Sequence, residues 1–194
     1  MDRSAKRGRT REALRTAALD LFRAKGFEAA TVDEIAGAAG VSRTTFFRYF
    51  PTKESVVFER PLEMAGVFRQ SILERPAEEN PLQAFEAALL ELADVAKRDE
   101  RLRSEGLELE KLMQRNPILR HRHGEYVQEQ AQVIAATLAE RDGSEVREEH
   151  RLAAAIGLLV STSAREKWHA SEGEIDAEAL LKGLFVKVRE LTAT

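Results

Sequence analysis

Residues 31–54 read Thr-Val-Asp-Glu-Ile-Ala-Gly-Ala-Ala-Gly-Val-Ser-Arg-Thr-Thr-Phe-Phe-Arg-Tyr-Phe-Pro-Thr-Lys-Glu, and this stretch predicts two short helices joined by a tight turn. Thr31 is followed three residues later by Glu34, the spacing of a capping box in which each side chain binds the other's backbone N–H. Gly40 stands where the first helix should end in a left-handed residue. Ser42 is the N-cap candidate of the second helix.

The second helix separates its residues by face. Phe46 and Phe50 can pack inward, and the following Pro51 ends the helix. The turn is too short for antiparallel helices, which favours a helix-turn-helix at about residues 31–50 that reads a DNA major groove. The remaining side chains include no carboxylate that would repel phosphates, and they are Arg43, Thr44, Thr45, Phe47, Arg48 and Tyr49. The alternative is a buried helix pair with a solvated basic edge.

The residue types on this face suggest separate roles at DNA. Arginine at the start of such a helix can read guanine, and threonine can bond a base edge or a phosphate. Arg43, Thr44 and Arg48 are therefore candidates for contacts with bases or the adjacent phosphates. Phe47 is a candidate for a thymine methyl group or a sugar. Backbone positioning, with the helix N-termini as phosphate seats, falls to Thr31, Thr45 and Tyr49.

The pattern Gly-Val-Ser-x-x-Thr-Phe-Phe-Arg-Tyr-Phe-Pro-Thr-Lys-Glu at residues 40–54 resembles the DNA-binding signature of the tetracycline-repressor (TetR) family of bacterial transcriptional regulators. The resemblance covers about the first 60 residues and continues upstream through Ala17, Leu21, Phe22, Gly26, Phe27, Thr31, Val32, Ile35 and Ala36. It implies a homodimer whose larger C-terminal domain often binds a small molecule and controls the DNA affinity. It also implies that Lys53 contacts a phosphate, whereas the alternative is an ordinary exposed lysine.

Charge is distributed unevenly along the 194 residues. The whole chain has 30 Lys+Arg and 33 Asp+Glu, a net charge of −3 at pH 7. Residues 1–60 contain 12 basic and 8 acidic side chains, and the remainder contains 18 and 25. A basic N-terminal part on an acidic remainder directs one end of the protein towards a polyanion such as DNA.

Other classes of protein are excluded by composition. The chain has no cysteine, so disulfides and thiolate chemistry are excluded. It lacks an apolar stretch long enough to span a bilayer, and its basic N-terminus lacks the apolar core of a signal peptide. We therefore expect a cytoplasmic bacterial protein that does not interact with a membrane.

The N-terminal ten residues carry four basic side chains without helical periodicity. We expect a flexible arm here, which follows a phosphate backbone or enters a minor groove. A solvated tail is the alternative, and Thr10 is the predicted cap of the first helix.

Helical spacing continues to the C-terminus without strand alternation, which predicts an all-α protein of about nine helices. The N-terminal arm and a three-helix helix-turn-helix domain should occupy residues 1–52, and a helical ligand-binding and dimerisation domain should occupy residues 53–194. Pro61 should kink or break the fourth helix. Ser144 should open the eighth.

The last two helices are too apolar and too rich in small residues to face water on both sides. A two-fold four-helix bundle made from two copies would bury these surfaces and present two recognition helices to an inverted repeat. The half-sites would then lie about 34–36 Å apart or somewhat more. A monomeric bundle is the alternative.

The family resemblance implies an effector cavity enclosed by the body helices. Eight residues on these helices are candidates for its lining, for a hydrophobic or acyl-like effector: Phe68, Phe85, Leu89, Met113, Tyr126, Gln130, Ile134 and Trp168. A filled core is the alternative explanation of each of them.

Sites of other kinds are not expected. His121 and His123 with Glu125 suggest a metal, but His-x-His on a helix points the two rings apart, so we predict no metal site. The carboxylates at positions 105, 108 and 110 are spaced for a solvated face, and neither a catalytic group nor a cofactor site is predicted. The sequence therefore predicts a dimeric, effector-responsive repressor that is not an enzyme. The alternatives are an effector-independent nucleoid or partition-type DNA binder of the same fold, and an enzyme that uses its helix-turn-helix for protein contacts.

Overall fold

The computed structural model describes residues 3–58 and 62–193, and within these ranges it contains ten α-helices and no strand. The all-α class is confirmed, with one helix more than the nine expected. The helices are α1 (Arg3–Lys25), α2 (Val32–Ala38), α3 (Arg43–Tyr49), α4 (Ser55–Phe58), α5 (Leu62–Leu73), α6 (Pro81–Arg98), α7 (Glu100–Arg115), α8 (Pro117–Arg141), α9 (Glu148–Ala170) and α10 (Ala177–Thr192).

The chain divides into two compact units, residues 1–63 and 64–194, which we call the head and the body. A boundary between functional domains at residues 52 and 53 stays a prediction. Among the described helices, none combines the length and the apolar character that crossing a bilayer requires.

The first helix begins earlier than predicted. Thr10 is not its N-cap, because it lies inside α1 and its hydroxyl donates to the Lys6 carbonyl at 3.1 Å. The predicted flexible arm is helical from Arg3 onward, since its alanine, lysine and arginine residues favour helix and no proline interrupts them. Residues 1 and 2 lie outside the described ranges. The helix ends before Gly26. The backbone at this position has a φ of +86°, which glycine adopts easily.

A small aromatic and aliphatic core holds the head together. Leu14, Ile35 and Phe46, from the first three helices, are all completely buried. The rings of Phe22 and Phe27 lie 5.0 Å apart and extend this core under the loop between α1 and α2. The predicted fourth helix is present as two elements, α4 and α5. Pro61, its predicted kink, lies outside the described residues.

The body is built on α6, α9 and α10, with α8 packed against α9. At the start of α6, Asn80 forms a capping box with Gln83, and Pro81 takes the first helical position. Phe85, Leu138 and Phe185 are almost completely buried in the shared core.

Two of the body helices meet at a glycine. A Cβ added to Gly157 of α9 would lie 1.6 Å from both Cδ1 and Cε1 of Phe85 on α6. This position therefore accommodates glycine alone while the Phe85 ring keeps its place.

The start of α9 differs from the prediction. Ser144 does not open it, because the helix begins at Glu148. The reason is His150, a fully buried residue in the first turn. Its Nδ1 accepts a hydrogen bond from the Arg147 N–H at 2.9 Å, and its Nε2 lies 3.0 Å from Asp142 Oδ2. These two bonds hold the preceding segment in a loop.

The segment after α9 turns through two left-handed residues. Glu172 has a φ of +53° and Gly173 a φ of +79°. The Gly173 N–H donates to the Trp168 carbonyl at 2.9 Å, which closes the end of the helix. Residues 171–176, the α9–α10 loop, then lead into α10.

Four large apolar side chains on the last two helices face outward. Leu152 and Leu159 of α9 are 54% and 68% exposed, and Val186 and Leu191 of α10 are 44% and 80% exposed. Such a surface is the one that the dimer prediction requires. The homodimer itself stays a prediction.

Candidate nucleic-acid interface and body cavity

Local hydrogen bonds fix the two short helices of the head. Thr31 Oγ1 accepts from the Glu34 N–H at 3.3 Å, and the Glu34 carboxylate accepts from the Thr31 N–H at 2.9 Å. The Lys25 ammonium and Thr31 bind this carboxylate and lower the pKa of Glu34 to about 2. Ser42 caps α3 by accepting from the Thr45 N–H at 3.1 Å. Both predicted caps are therefore present.

The predicted recognition face lies on the outside of α3. Arg43, Thr44, Phe47 and Arg48 are exposed, whereas the other two candidates on this helix, Thr45 and Tyr49, are half-buried. Phe46, on the opposite side, is completely buried and anchors the helix. The surface of α3 is therefore open to a partner in the head as described.

Aromatic rings support both arginines of this face. The Arg43 guanidinium lies 5.3 Å from the centre of the Phe47 ring, and the Arg48 guanidinium lies 5.4 Å from that of Tyr49. Such stacking limits the number of side-chain conformations and presents the planar donors outward. Aromatic residues thus position charge in addition to offering apolar contacts.

One carboxylate that sequence reasoning did not place here lies beside this face. Asp33 of α2 binds Arg43 at 2.7 Å, and the two side chains are 65% and 58% exposed. An exposed pair of this kind contributes about 0–1 kcal/mol. Arg43 can therefore exchange Asp33 for another acceptor at little cost.

Two of the predicted backbone-positioning residues have partners within the head. Lys53 Nζ donates to the carbonyls of Phe27 and Ala30 at 2.7 and 2.9 Å, and it lies 4.3 Å from the centre of the Phe27 ring. It is thus not an ordinary exposed lysine, because it ties the start of the α4 segment to the loop between α1 and α2. Thr31 binds Glu34 through both its N–H and its hydroxyl group.

The body contains a cavity of about 460 Å³. Its walls come from α6, α7, α9, the α9–α10 loop and the first turns of α10. Buried Leu89, Leu92, Ala164 and Leu181 form an apolar floor, whereas the charged side chains of α6, α7 and the α9–α10 loop, which are half-buried or exposed, lie at the rim. Volume and lining are those of a small-molecule site, for which about 300–1,000 Å³ is usual.

Contacts from two helices fasten the α9–α10 loop over this cavity. Arg103 Nη2 of α7 donates to the Gly173 carbonyl at 3.1 Å. The Lys97 ammonium of α6 binds the Asp176 carboxylate, and this bond raises the pKa of Lys97 and lowers that of Asp176. Asp176 Oδ1 also accepts from the Ala179 N–H at 3.1 Å and so caps α10.

The structure brings only part of the predicted lining set to this cavity. Leu89 and Trp168 line it. Phe85 and Ile134 are buried in the core, and Phe68 packs against Phe85 with the ring centres 5.4 Å apart. Met113 lines a second cavity of about 220 Å³ between α7, α8 and α9, and Tyr126 and Gln130 are half-buried on α8 outside both linings.

Sequence reasoning did not find the charged members of the cavity wall, which are the cations Lys97, Arg103 and Arg165 and the carboxylates Glu174, Asp176 and Glu178. The sequence contains only a weak indication of the cavity. Small residues recur at helical spacing on two facing helices, as at Ala93 and Ala96 of α6, and they leave space rather than fill it.

A largely buried cluster of ionisable groups surrounds Arg165, the residue that the two cavities share. Arg165, which lines both, binds the buried Glu110 carboxylate, and its Nη2 lies 3.2 Å from His123 Nε2. Because arginine only donates, this nitrogen of His123 is the acceptor. Burial, with the charge of Arg165, lowers the pKa of His123.

His169 completes the cluster, with its Nε2 at 3.8 Å from Glu110 Oε2. Burial and the nearby charges of Arg165 and Lys111 lower the pKa of His169 to about 4. Within the described residues, no group of three carboxylate, histidine or cysteine side chains could hold a metal ion. His123, one of the histidines considered for a metal, faces a cation.

Comparison with protein families gives two matches that together cover most of the chain. The model described as bacterial regulatory proteins, tetR family, matches residues 14–59, and the model described as MftR C-terminal domain matches residues 79–192. The HTH-type transcriptional regulator TcmR of Streptomyces glaucescens is 31% identical over 183 residues, which are 92% of this chain and 80% of that protein.

Solved structures with similar folds are also regulators. FadR of Thermus thermophilus, a TetR family transcriptional repressor in complex with lauroyl-CoA, superposes with a TM-score of 0.54 at 24% identity, covering 90% of this chain and 91% of that one. FadR of Bacillus subtilis, in complex with stearoyl-CoA, gives 0.52 at 21% identity, covering 89% and 94%.

Proposed function

The chain belongs to the TetR family of DNA-binding transcriptional regulators, and we propose that it is a homodimeric repressor released from an inverted-repeat operator by a small, largely apolar effector. The observation that carries the proposal is the outward face of α3, which is exposed, basic and without a carboxylate of its own. The relatives are regulators rather than enzymes, which supports a role in binding instead of catalysis.

The proposed DNA contacts follow from exposure and chemistry. Arg43, Thr44 and Arg48 would contact bases or adjacent phosphates, and Phe47, at 42% exposure, would contact a thymine methyl group or a sugar. Thr45 and Tyr49, on the half-buried flank of α3, would position the DNA backbone. Thr31 and Lys53 would also position the DNA backbone. The Thr31 N–H and the Lys53 ammonium already donate to acceptors within the head, so each would have to share its donor with a phosphate.

The exposed leucine and valine side chains of α9 and α10 support the proposed homodimer. A second copy would bury them in a two-fold four-helix bundle and place two α3 helices on one side of a duplex. Sedimentation should give a dimer at micromolar concentration, and a monomer there would argue against this part of the proposal.

The body cavity supports the proposed effector. An effector can act only by binding one of two head-to-head separations better than the other. Acyl-coenzyme A, present in both FadR structures, is one compound class for the first ligand screen, because those proteins share this fold. An effector should raise the melting temperature and release operator DNA, and neither change would occur in an effector-independent DNA binder.

Selection of bound DNA from random sequence tests the proposed function. The expected product is an inverted repeat whose half-sites lie about one helical turn apart or somewhat more. The binding constant should also fall steeply with salt, because phosphate contacts release counterions. Recovery of unrelated sequences with no repeat would contradict a sequence-specific regulator.

A further inference from the structure

The cationic side chains in the cavity wall differ in whether a protein carboxylate binds them closely. The wall contains three cationic side chains, Lys97, Arg103 and Arg165, and three carboxylates, Glu174, Asp176 and Glu178, the last of which binds Lys182. Lys97 binds the Asp176 carboxylate, and Arg165 binds the buried Glu110 carboxylate. Arg103, by contrast, has as its close contact the neutral Gly173 carbonyl at 3.1 Å. Two of the three cations are therefore neutralised by protein carboxylates at the cavity.

The carboxylate nearest to Arg103 is exposed to solvent and makes only a long contact with the guanidinium. Glu100 Oε2 lies 3.9 Å from Arg103 Nη1, and the Glu100 side chain is 85% exposed. Such a pair is screened by water and weak. A guanidinium has five donors in a planar fork, so the bond to Gly173 leaves an edge for an anion.

The surroundings of Arg103 are suited to a ligand that is acidic at one end and apolar beyond it. A Cβ added to Gly173 would lie 3.4 Å from Arg103 Nη2 and 3.2 Å from Trp168 Cζ2, so the guanidinium and the indole flank the same residue. From this rim the cavity continues to its apolar floor at Leu89 and Leu181. An anion on Arg103 would therefore place the ligand's first carbon atoms near Trp168.

We infer that the cavity takes an amphipathic carboxylic acid, with the carboxylate on Arg103 and the apolar body between Trp168 and the leucine floor. Because it specifies the effector, this inference rests on the proposed function. Charge-assisted bonds from a guanidinium to a carboxylate are about twice as strong as neutral hydrogen bonds. Arg103 would thus select the acid over its neutral analogues.

The experiment compares decanoic acid with decanamide at neutral pH, using the emission of Trp168, the single tryptophan of the chain. The acid should bind about tenfold more tightly than the amide, as one added charge-assisted contact provides. Glutamine is too short to reach the Gly173 carbonyl from position 103, so amide binding in Arg103→Gln reports the lost loop contact, whereas the acid should lose its preference. Arg103→Lys should keep part of it.

Two further variants serve as controls. Arg101→Gln removes a cation of the same helix that pairs with Glu105 and does not line the cavity, so the acid preference should persist. Glu174→Gln removes a negative charge from the rim and should strengthen acid binding severalfold while amide binding stays the same.

Each outcome decides between the inference and the function on which it rests. Equal binding of acid and amide, or an acid preference that survives Arg103→Gln, overturns the assignment of Arg103 and leaves an apolar effector cavity. If neither compound binds, the acid inference fails, and the effector screen then decides the proposed function separately. Loss of amide binding in Arg103→Gln would show that Arg103 only supports the loop.

Discussion

The outward face of α3 and the body cavity are assembled in different ways. Seven consecutive residues, Arg43–Tyr49, provide nearly all of the first surface, and short-range caps hold them in place. The cavity draws its walls from three long helices, a loop and the start of a fourth helix, between positions 89 and 181. A local site of this kind can change its side chains without changing its scaffold, whereas the cavity changes whenever a helix moves.

The two regions also differ in what their residues contribute to folding. On α3 the fully buried Phe46 anchors the helix and the exposed side chains remain available for a partner. In the body, Leu89 belongs both to the hydrophobic core and to the cavity wall. Substitutions on the outward face of α3 should therefore change DNA binding with little change in stability. Substitutions in the cavity wall should change both ligand binding and stability.

The largest expected effect is at the contact of α6 and α9. Gly157→Ala should destabilise the body by about 3 kcal/mol, because the added methyl group overlaps the Phe85 ring and one helix must shift. Urea unfolding followed by Trp168 emission measures this. Gly124→Ala is the matched control, since no atom lies within 4 Å of a Cβ there and the helix propensity rises. Unchanged stability of Gly157→Ala would mean that the helices are not held this closely.

At the recognition face, Arg43→Ala should cost about 1–3 kcal/mol of operator affinity and relax the choice of base at one position. Its effect on unfolding should be small, because the pair with Asp33 is exposed. Titration of operator variants measures both affinity and choice. Asp33→Asn should tighten binding by releasing Arg43. Operator binding equal to that of the parent in Arg43→Ala would exclude the proposed contact.

Lys53 combines a proposed DNA contact with hydrogen bonds that stabilise the head. If it contacts a phosphate, Lys53→Ala should weaken all DNA sequences alike by about 1.5 kcal/mol and reduce the slope of affinity against salt by about 1. Titrations at several salt concentrations measure the slope, with the exposed Arg23→Ala as control for lost charge. A lower melting temperature with an unchanged slope would instead assign Lys53 only to its bonds with the Phe27 and Ala30 carbonyls.

Acid should weaken the body through His169. The pKa of His169 is lowered from 6.5 to about 4 in the folded protein, so the unfolded chain binds more protons between these values. Stability is therefore highest above pH 6.5 and falls as the pH drops towards 4, by about 1 kcal/mol at about pH 5.5. Unfolding across this range measures the loss. His169→Gln should flatten it, with His121→Gln as surface control; an equally steep loss in His169→Gln would contradict this origin.

Much of the head could be predicted because its signals are close together in sequence. The Thr31–Glu34 capping box and the Ser42 cap are both present. The position of Asp33 beside Arg43 and the bonds of Lys53 could not be predicted, because they depend on how separate segments pack.

In the body, the helices could be predicted, but most of the cavity lining could not. A cavity is the volume that packed side chains leave unfilled, so the apolar pattern that reveals a helix does not distinguish its lining from a filled core. The bond from Arg103 to Gly173 spans 70 positions, and nothing in the local sequence of α7 indicates it. The first residue of α9 was predicted wrongly for a similar reason, because the two hydrogen bonds of His150 reach back to Arg147 and Asp142.

The left-handed backbone of Glu172 has a consequence for proteolysis. A non-glycine residue at a φ of +53° costs about 1–2 kcal/mol, and this cost is relieved whenever the α9–α10 loop opens. The peptide bond that follows Glu172 joins an exposed residue to the buried Gly173. A glutamate-specific protease should therefore cut there at a rate set by loop opening, and an occupied cavity should lengthen the lifetime of the intact chain.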